Sequence, residues 1–380
     1  MDRKLKVLVS GTGFAGQGHT DAFRAVGGEI IGLVGRTPNV VSEVAEKKSI
    51  LYASTDWRQA LEDCQPDIVS IGTPGGAHYD TISLAIEHGC HVFCDKPLTD
   101  NGASAVSLYE QAQKKGVKTA FASSFRYMPH IIHAKQLVAD GVIGEPLEVE
   151  CISHFNLERD IPFGWSHRKE DGGGRLNNNF THKLSIVTSV IGEKILSISG
   201  AVRDDMGKAP IVKGVHNFKT RREHIPKNLS DPSLEWGESN VEWTYTVLAE
   251  LESTLASKPV SVLFKHGGLN PRFNEDHIVF YGTKGAIYIK GHYGSGPLYL
   301  WNKESKTWQE KPLPKEIADS QPKIEGDTER NWQYLVREFV KDIKAEPFET
   351  YQTFKEGSFY QQLIDIIRKN ANWTDVRHLQ

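Results

Sequence analysis

The chain has 380 residues, which is too long for one ordinary core, so we expect two domains. Its apolar fraction of 39% and charged fraction of 24% are those of a globular protein, and a formal net charge of -3 gives no reason to expect nucleic acid as a partner. The sequence shows no secretory leader pattern and no apolar run long enough to span a bilayer. We therefore expect a cytoplasmic protein without a membrane partner.

Cysteine usage is consistent with that location. The chain contains four cysteines, a low count for a secreted disulfide scaffold, and none forms a CxxC pair. No close quartet of Cys and His resembles a zinc site, so no metal is expected.

The first 125 residues alternate between short apolar strand patterns and helical patterns. This alternation predicts a parallel, doubly wound sheet. Strands are predicted at 6–10, 30–34, 67–71, 91–94 and 117–122, and helices at 17–26, 40–48, 55–63, 78–88 and 103–115.

The pattern changes after residue 125, where strands begin to follow strands. This predicts a second α/β domain with a largely antiparallel sheet, and we place the domains at 1–125 and 126–380. Extended segments are predicted at 147–155, 241–247 and 260–264, a hairpin at 278–289, helices at 176–191, 328–345 and 352–370, and a long loop or lid at 203–240.

The segment GTGFAG has the GxGxxG spacing of dinucleotide-binding turns. It follows a predicted strand and opens a helix, which is the context that the pattern requires. Glycines allow close approach of the backbone to a pyrophosphate, and the helix start offers free N–H groups. The alternative is a glycine-rich turn without a ligand. The residues expected to bind the cofactor here are Gly11, Gly13, Phe14, Ala15 and Gly16.

The end of the second strand bears on cofactor choice. Where NAD enzymes usually carry Asp or Glu for the ribose, this chain has Gly35 followed by Arg36 and Thr37. Without a carboxylate there is no repulsion of a 2′-phosphate, and an arginine can pair with it. The pattern favours NADP(H), with NAD(H) still possible. Alternatively, Arg36 stacks on the adenine of either cofactor.

The stretch CDKPLT places Lys96 just after a predicted strand. Ligands of open α/β sheets bind at the carboxyl ends of the strands, so Lys96 lies on the edge that would reach a nicotinamide. Pro97 fixes the turn and is a candidate for a cis peptide bond. Position alone leaves a surface lysine equally acceptable.

A second segment, GGGRLNNNFTH, puts a glycine triplet before a helix. Asn178 and His182 are four residues apart and share one helix face. If that face meets the sheet edge, they can converge with Lys96 on one hydroxyl or carbonyl. Alternatively, Asn178 caps the helix and His182 is a polar core residue.

Taken together, these motifs resemble the Gfo/Idh/MocA family of dehydrogenases. The matches are GTGFAGQGH at 11–19, TPGGAHYDTISLAIEHGCHVFCDKPLT at 73–99, FRYMP at 125–129, IGEP at 143–146 and GGGRLNNNFTH at 172–182.

The resemblance implies a Rossmann domain followed by an α/β domain with an open sheet that often serves oligomerisation, here as a homodimer or homotetramer. It also implies a nicotinamide cofactor and a sugar, polyol or related keto compound as substrate. The Glu-Lys-Pro motif of the family falls on Asp95, Lys96 and Pro97, its helix histidine on His182, and its acid on Asn178. It places Thr73, Pro74, His78, Asp95 and Lys96 at the cofactor.

The chain departs from the family pattern at four positions. Asp95 replaces Glu, Asn178 replaces Asp, Ser185 stands where a further Asp is common, and Phe180 where Gly is frequent. An amide can orient a hydroxyl but cannot take its proton, so Asn178 removes a carboxylate from the acid–base set.

The resulting hypothesis is hydride transfer between nicotinamide C4 and a carbon that bears a secondary hydroxyl or a ketone. His182 is the first choice for general acid and base because its reference pKa is near neutral, while Lys96 would hold the reacting oxygen and Asn178 would position it. The alternatives are a non-redox glycoside-cleaving enzyme and a cofactor-binding regulatory protein. Further candidates for substrate contact are Arg126, Tyr127, Trp165 and Arg168.

Overall fold

The computed structural model describes residues 3–192, 194–215, 220–270 and 275–369. In this part of the chain no helix is long and apolar enough to cross a membrane. No group of three or more His, Cys, Asp or Glu there could hold a metal ion.

The N-terminal sheet has six parallel strands in the order β3-β2-β1-β4-β5-β6. Its inner strands are continuous apolar runs, such as IVSI in β4, because helices cover both faces. The doubly wound fold predicted from the sequence is confirmed, and the two-residue edge strand β3 had not been predicted. The strands are β1 Lys6–Ser10, β2 Glu29–Val34, β3 Ala53–Ser54, β4 Ile68–Ile71, β5 His91–Asp95 and β6 Thr119–Ala122. The helices are α1 Phe14–Ala25, α2 Pro38–Lys47, α3 Trp57–Cys64, α4 His78–Glu87 and α5 Gly102–Lys115.

The strand order reverses direction around β1, which pairs with β2 on one side and β4 on the other. A crevice opens at the carboxyl ends of β1 and β4, where a doubly wound sheet binds its ligand. Gly11 follows β1 and Gly72 follows β4, so both lie at this switch point.

The second sheet has eight strands in the order β16-β15-β14-β13-β7-β12-β11-β8. Every neighbouring pair is antiparallel except β7 with β12, which confirms the prediction of a largely antiparallel sheet. Its strands are β7 Pro146–His154, β8 Lys194–Arg203, β11 Thr244–Glu252, β12 Val260–Gly267, β13 Glu275–Gly282, β14 Ala286–Lys290, β15 Leu298–Asn302 and β16 Thr307–Glu310. The helices of this half are α6 Pro129–Ala139, α7 Thr181–Ile191, α8 Lys315–Ser320, α9 Asp327–Ile343 and α10 Phe354–Lys369.

The last two long helices return to the N-terminal sheet. Trp332 on α9 packs against Phe14 and His19 of α1, with ring centroids 5.1 and 4.9 Å apart. A Cβ at Gly18 would lie 2.2 Å from Trp332, so only glycine permits this contact. The two halves therefore share packing through α9, and the boundary at residues 125 and 126 stays a prediction.

Segment 203–240 is not wholly a loop, which corrects the sequence interpretation. It contains β9 (Lys208–Pro210) and β10 (Trp236–Glu238), which pair antiparallel. Buried Arg221 anchors the segment by donating to the Pro162 carbonyl at 2.6 Å and to Ser166 Oγ at 2.9 Å. The segment is thereby fixed beside the turn that contains Trp165.

Candidate active site

The CDKPLT turn carries Lys96 to the carboxyl edge of the N-terminal sheet. Asp95 ends β5, and the Lys96–Pro97 peptide bond is cis. Lys96 is partly buried, and its Nζ donates a hydrogen bond to Asn178 Oδ1 at 3.1 Å. Since 82 positions separate these residues, this bond joins the two segments that the sequence singled out.

The glycine triplet is what allows these two segments to approach. A Cβ at Gly172 would lie 3.0 Å from both the Gly75 Cα and the Pro97 Cγ, and its φ is +76°. Gly174 has a φ of +94°, and a Cβ there would meet the Glu242 carboxylate at 2.3 Å. A side chain at either position would push the helix away from Lys96.

The helix after the triplet begins with a π turn, Leu176–Phe180, which continues into α7. The amide of Asn178 donates through Nδ2 to the Gly174 carbonyl at 3.0 Å while its Oδ1 accepts from Lys96. His182 lies one turn further along and is 6% exposed, with Nδ1 3.5 Å from Ser123 Oγ. The Phe125 ring contacts it edge-on, with centroids 4.5 Å apart. Asn178 is thus neither a cap nor a solvent group.

Burial sets the protonation states at this edge. Desolvation, and secondarily the charge of Arg175, lowers the pKa of Lys96 to about 8, although Asp95 opposes the shift. Burial raises the pKa of Asp95 to about 6. Burial, together with the charge of Lys96, holds the pKa of His182 well below 6.5. His182 is therefore neutral near pH 7, and its reference pKa is no longer a reason to make it the proton-transfer group.

Two of the family departures have structural explanations. The Ser185 hydroxyl donates to Gln352 Oε1 at 2.8 Å in the protein interior. Phe180 is fully buried between the rings of Tyr245 and Phe264. Both side chains are therefore held by contacts inside the protein.

A network beneath His182 had no signal in the sequence. Asp276 on β13 forms an ion pair with Lys183, and its Oδ2 lies 3.4 Å from His292 Nδ1. The same carboxylate accepts from the Tyr293 backbone N–H at 3.1 Å, and the Tyr293 ring contacts His182 at 5.1 Å. These residues fix the position of the Tyr293 ring against which His182 packs.

The glycine-rich turn forms a close-packed cradle at the switch point. A Cβ at Gly16 would lie 1.9 Å from the Gly11 carbonyl oxygen, and one at Gly11 would lie 2.7 Å from the Gly72 backbone. Gly13 caps α1 without a side-chain hydrogen bond, and a Cβ there would meet nothing within 4 Å. The start of α1 therefore has open space beside Gly13, where a pyrophosphate would fit. Gly72 belongs to this cradle although the sequence interpretation did not select it.

Gly13→Ala is expected to raise the dissociation constant for the nicotinamide cofactor by about 10-fold and to leave Tm unchanged, because the added methyl occupies only the space left for the phosphates. Fluorescence titration with reduced cofactor measures the affinity. Gly285→Ala in the β13–β14 turn, where a Cβ makes only ordinary contact with Trp301, is the matched control. Unchanged cofactor affinity in Gly13→Ala would place the phosphates elsewhere.

The remaining predicted cofactor residues lie around the same crevice. Arg36 and Thr37 are exposed after β2, and Pro74 is exposed after β4. The Thr73 Oγ1 is buried without a hydrogen-bond partner among the described residues, as expected of a group that awaits a ligand. His78 is fully buried, with Nε2 2.7 Å from the Thr73 carbonyl and Nδ1 3.1 Å from the Leu98 carbonyl. Its ring therefore joins the Thr73 and Lys96 turns and leaves no edge for a cofactor.

The predicted substrate residues separate into different surroundings. Arg126 is partly buried in the turn before α6, and Tyr127 stacks on Tyr334 of α9 at 5.1 Å, inside the core that α9 closes. Trp165 is partly buried beside the Arg221 anchor, and Arg168 pairs with Asp171. Only Lys96, Asn178 and His182 are brought together at the sheet edge, so substrate contact by the other residues stays a prediction.

The fold and the site are those of a protein that binds a dinucleotide on one domain and a second ligand at the junction with the other. A doubly wound dinucleotide-binding sheet presents a lysine of lowered pKa to an amide and a buried histidine from a second, largely antiparallel sheet domain.

Comparison with known families identifies the class more closely. Residues 5–123 match the model of an oxidoreductase family with an NAD-binding Rossmann fold, and residues 131–288 match the model of the GFO/IDH/MocA C-terminal domain. The two matches cover well over half of the chain, and the protein belongs to the Gfo/Idh/MocA oxidoreductase family.

Known relatives are distant in sequence but similar in fold. Levoglucosan dehydrogenase from Pseudarthrobacter phenanthrenivorans is 25% identical over 205 residues, covering 50% of this chain and 52% of that protein. D-xylose dehydrogenase from Paenarthrobacter nicotinovorans is 28% identical over 172 residues, covering 44% of each. A solved levoglucosan dehydrogenase in complex with NADH and levoglucosan has a TM-score of 0.81 at 18% identity, covering 99% of this chain and 100% of that one. The chain spans about half the length of the curated relatives it matches, and likeness at 18% identity establishes the fold alone.

Proposed function

We propose that the protein is an NAD(P)-dependent oxidoreductase that moves a hydride between nicotinamide and the carbon of a secondary alcohol or ketone in a sugar or polyol. The observation that carries the proposal is the 3.1 Å hydrogen bond from Lys96 Nζ to Asn178 Oδ1 at the edge of a dinucleotide-binding sheet. The names of the relatives, which are dehydrogenases of levoglucosan and xylose, support the substrate class.

The cradle of Gly11, Gly13 and Gly16 fits a dinucleotide, which when bound would accept or supply the hydride. In the direction of oxidation, the neutral amine of Lys96 accepts the proton of the substrate hydroxyl, and in reduction the ammonium form returns it. Asn178 directs Nζ, since its own amide is held by the Gly174 carbonyl. Neutral His182 orients the same oxygen by a hydrogen bond. Proton transfer thus moves from His182, the first choice on sequence, to Lys96.

Absorbance of reduced nicotinamide, followed with both cofactors across sugars, inositols and keto-sugars, tests the proposal. Product formed in equal amount to reduced or oxidised cofactor supports a dehydrogenase. Product without net cofactor change would mean a glycoside-cleaving enzyme, and cofactor binding without any turnover would mean a regulatory protein. Either of these results overturns the proposal.

We further propose a preference for NADP(H). The Arg36 side chain is exposed beside the crevice and forms no ion pair or hydrogen bond within the described ranges. A Cβ at Gly35 would lie 2.8 Å from methyl groups of both Thr12 and Val41, so this position excludes the carboxylate that NAD enzymes use. An unpaired guanidinium without a neighbouring acid at position 35 suits a 2′-phosphate.

Arg36→Ala is expected to weaken NADPH binding by about 10-fold or more while NADH binding changes by less than about 2-fold, because only NADPH carries the phosphate that Arg36 would pair with. Calorimetric titration with each cofactor measures the difference. Arg58→Ala, at an exposed position on α3, is the control. Equal loss for both cofactors would instead mean that Arg36 stacks on adenine.

Assembly and location are also proposals. Large apolar side chains are exposed on four strands of the second sheet, which suits a homodimer or homotetramer formed through that face. They are Leu147, Leu196, Leu248 and Tyr281. Light scattering on the purified protein tests the assembly, since a monomer contradicts it. Cell fractionation tests the cytoplasmic location.

A further inference from the structure

Arg175 is a cation held at the active-site cleft by neutral groups. It lies between the glycine triplet and the π turn, and its backbone N–H donates to the Glu242 carbonyl at 2.9 Å. Its Nε donates to Nε2 of the fully buried His266 at 2.9 Å. The guanidinium carbon lies 5.5 Å from the centroid of the Phe155 ring. These contacts fix the direction of the guanidinium without neutralising it.

The two terminal nitrogens of Arg175 have no partner among the residues that the structure describes. Across residues 3–192, 194–215, 220–270 and 275–369, no side chain or carbonyl forms an ion pair or hydrogen bond with Nη1 or Nη2, and neither nitrogen is sealed from solvent. The acids brought by neighbouring elements are already used: Glu242 pairs with Arg368 at 3.0 Å, and Asp276 pairs with Lys183. Of the segments outside the described ranges, 216–219 and 271–274 contain no Asp or Glu, and the acids of the others are Asp2, Glu193 and Asp375. The Arg175 terminal nitrogens are therefore accessible to solvent and to a ligand that enters the cleft.

Two sets of contacts connect this guanidinium with Lys96 and His182. The carbonyl of Gly174, the residue before Arg175, accepts from the Asn178 amide, whose Oδ1 accepts from Lys96. A chain of ring contacts that begins at Phe155 leads to His182. The Phe155 ring also lies 5.3 Å from His292, which in turn contacts Tyr293 at 4.3 Å. Tyr293 is the ring on which His182 packs. After burial, the charge of Arg175 is one of the causes that lower the pKa of both Lys96 and His182. The guanidinium is therefore electrostatically coupled to the groups proposed to act on the substrate.

The charge of the cleft is one-sided. Lys96 is bonded to an amide, Asn178, and Arg175 to an imidazole, so neither cation has a carboxylate of its own at the cleft within the described residues. The neighbouring Asp95 has a pKa raised to about 6 by burial, and its Oδ1 accepts from the Lys96 backbone N–H at 2.9 Å. Asp95 is still mostly ionised near pH 7 and offsets the charge of Lys96, so Arg175 is the cation that an incoming neutral sugar would leave uncompensated.

We propose that the substrate is a sugar or polyol that carries an oxyanion, either a carboxylate or a phosphate, and that Nη1 and Nη2 of Arg175 bind that group while Lys96 holds the reacting oxygen. Two parallel N–H donors of a guanidinium match the two oxygens of a carboxylate or phosphate. This inference rests on the proposed function of the site, and it narrows the substrate class from sugars in general to acidic ones.

The test compares matched pairs of compounds. Glucuronate and glucose 6-phosphate are each compared with glucose, and galacturonate with galactose, for turnover with NADP⁺ and for binding by calorimetry to the protein saturated with NADPH. We expect at least one anionic class to bind about 10- to 100-fold more tightly than its neutral partner, the range for a charge-assisted hydrogen-bonded pair. Tighter binding of the uronates would identify the oxyanion as a carboxylate, and tighter binding of the sugar phosphate would identify it as a phosphate.

Arg175→Gln should abolish that difference, raising KM and the dissociation constant for the anionic compound to those of its neutral partner. The two compounds are compared within the same variant, because loss of the Arg175 charge also shifts the pKa of Lys96. Arg175→Lys should retain part of the preference, and Arg58→Gln on the exposed face of α3 should retain all of it. The Tm of each variant shows whether it folds. If Arg175→Gln does not fold, the partial loss of preference in Arg175→Lys tests the inference instead.

Failure of this inference is distinguishable from failure of the proposed function. Turnover of neutral sugars at least as good as that of their acids, unchanged in Arg175→Gln, overturns the inference and leaves the dehydrogenase intact. Binding of an acid that depends on Arg175 but occurs without turnover of any sugar supports the inference and overturns the dehydrogenase. Binding of no acid above its neutral partner overturns the inference.

Discussion

Lys96→Ala is expected to lower kcat by about 10²- to 10⁴-fold, the usual contribution of a positioned acid or base. The substitution removes the only amine that the structure holds at 3.1 Å from Asn178 in the described part of the cleft. The glycine cradle lies on other turns, so cofactor affinity should change by less than about 3-fold. Stopped-flow absorbance of reduced nicotinamide gives kcat, and titration of the variant gives the affinity.

The pH dependence follows from the lowered pKa of Lys96. In the direction of oxidation the neutral amine is the active form, so the rate should rise with pH and level off above about pH 8. In reduction the ammonium form is active, so the rate should fall as pH rises through the same value. Because burial holds the pKa of His182 well below 6.5, a change in rate near pH 6 would report the titration of Asp95, whose pKa is about 6, and not that of His182.

Two further variants test whether Lys96 is the group that transfers the proton. Lys114→Ala, on the exposed surface of α5, removes a lysine of equal charge without touching the cleft and should retain full turnover. Asn178→Asp places a carboxylate against Nζ, which should raise the pKa of Lys96 and move the change in rate to higher pH. Near wild-type turnover in Lys96→Ala, or a pH profile that Asn178→Asp does not shift, would show that another group transfers the proton.

The sequence predicted the arrangement of the candidate site where that arrangement depends on local chain geometry. The GxGxxG turn and the CDKPLT turn each follow a strand, and a strand end in a doubly wound sheet has a known position relative to the ligand. The spacing of Asn178 and His182 was also informative, since both lie on consecutive turns even though the first of these turns is a π turn. A contact across 82 positions could therefore be predicted from two local patterns.

The sequence was insufficient where function depends on burial and on the pairing of distant strands. His182 was chosen for its reference pKa, but the rings of Phe125 and Tyr293 that desolvate it come from separate parts of the chain. Lysine is almost always exposed in proteins, yet the Lys183 side chain is 1% exposed and forms an ion pair with Asp276 on β13. The periodicity of a sequence does not show which acidic side chain the pairing of distant strands will bring next to a given lysine.

The buried ion pair of Lys183 and Asp276 is expected to make a large contribution to the stability of the fold. Asp276→Ala is expected to lower the free energy of unfolding by about 3–5 kcal/mol, because it leaves the Lys183 ammonium buried without a counter-charge. Ser153 Oγ and the Tyr293 N–H, at 3.1 Å each, lose their acceptor as well. Burial alone raises the pKa of the Asp276 carboxyl, but Lys183 and the hydrogen bond from His292 hold it below its usual value. Urea denaturation followed by fluorescence measures the loss, with exposed Asp231→Ala as the control.

The double variant Lys183→Met/Asp276→Leu separates the charge from the packing. Breaking a buried pair is far more costly than replacing both partners by apolar side chains of similar volume, so the double variant should recover most of the lost stability. It should still lose turnover, because the Asp276 carboxylate holds the backbone of Tyr293, on whose ring His182 packs. Stability restored together with activity would mean that the pair serves only the fold. Stability lost equally in the single and double variants would mean that the hydrogen bonds of Asp276, rather than its pairing with Lys183, hold this part of the sheet.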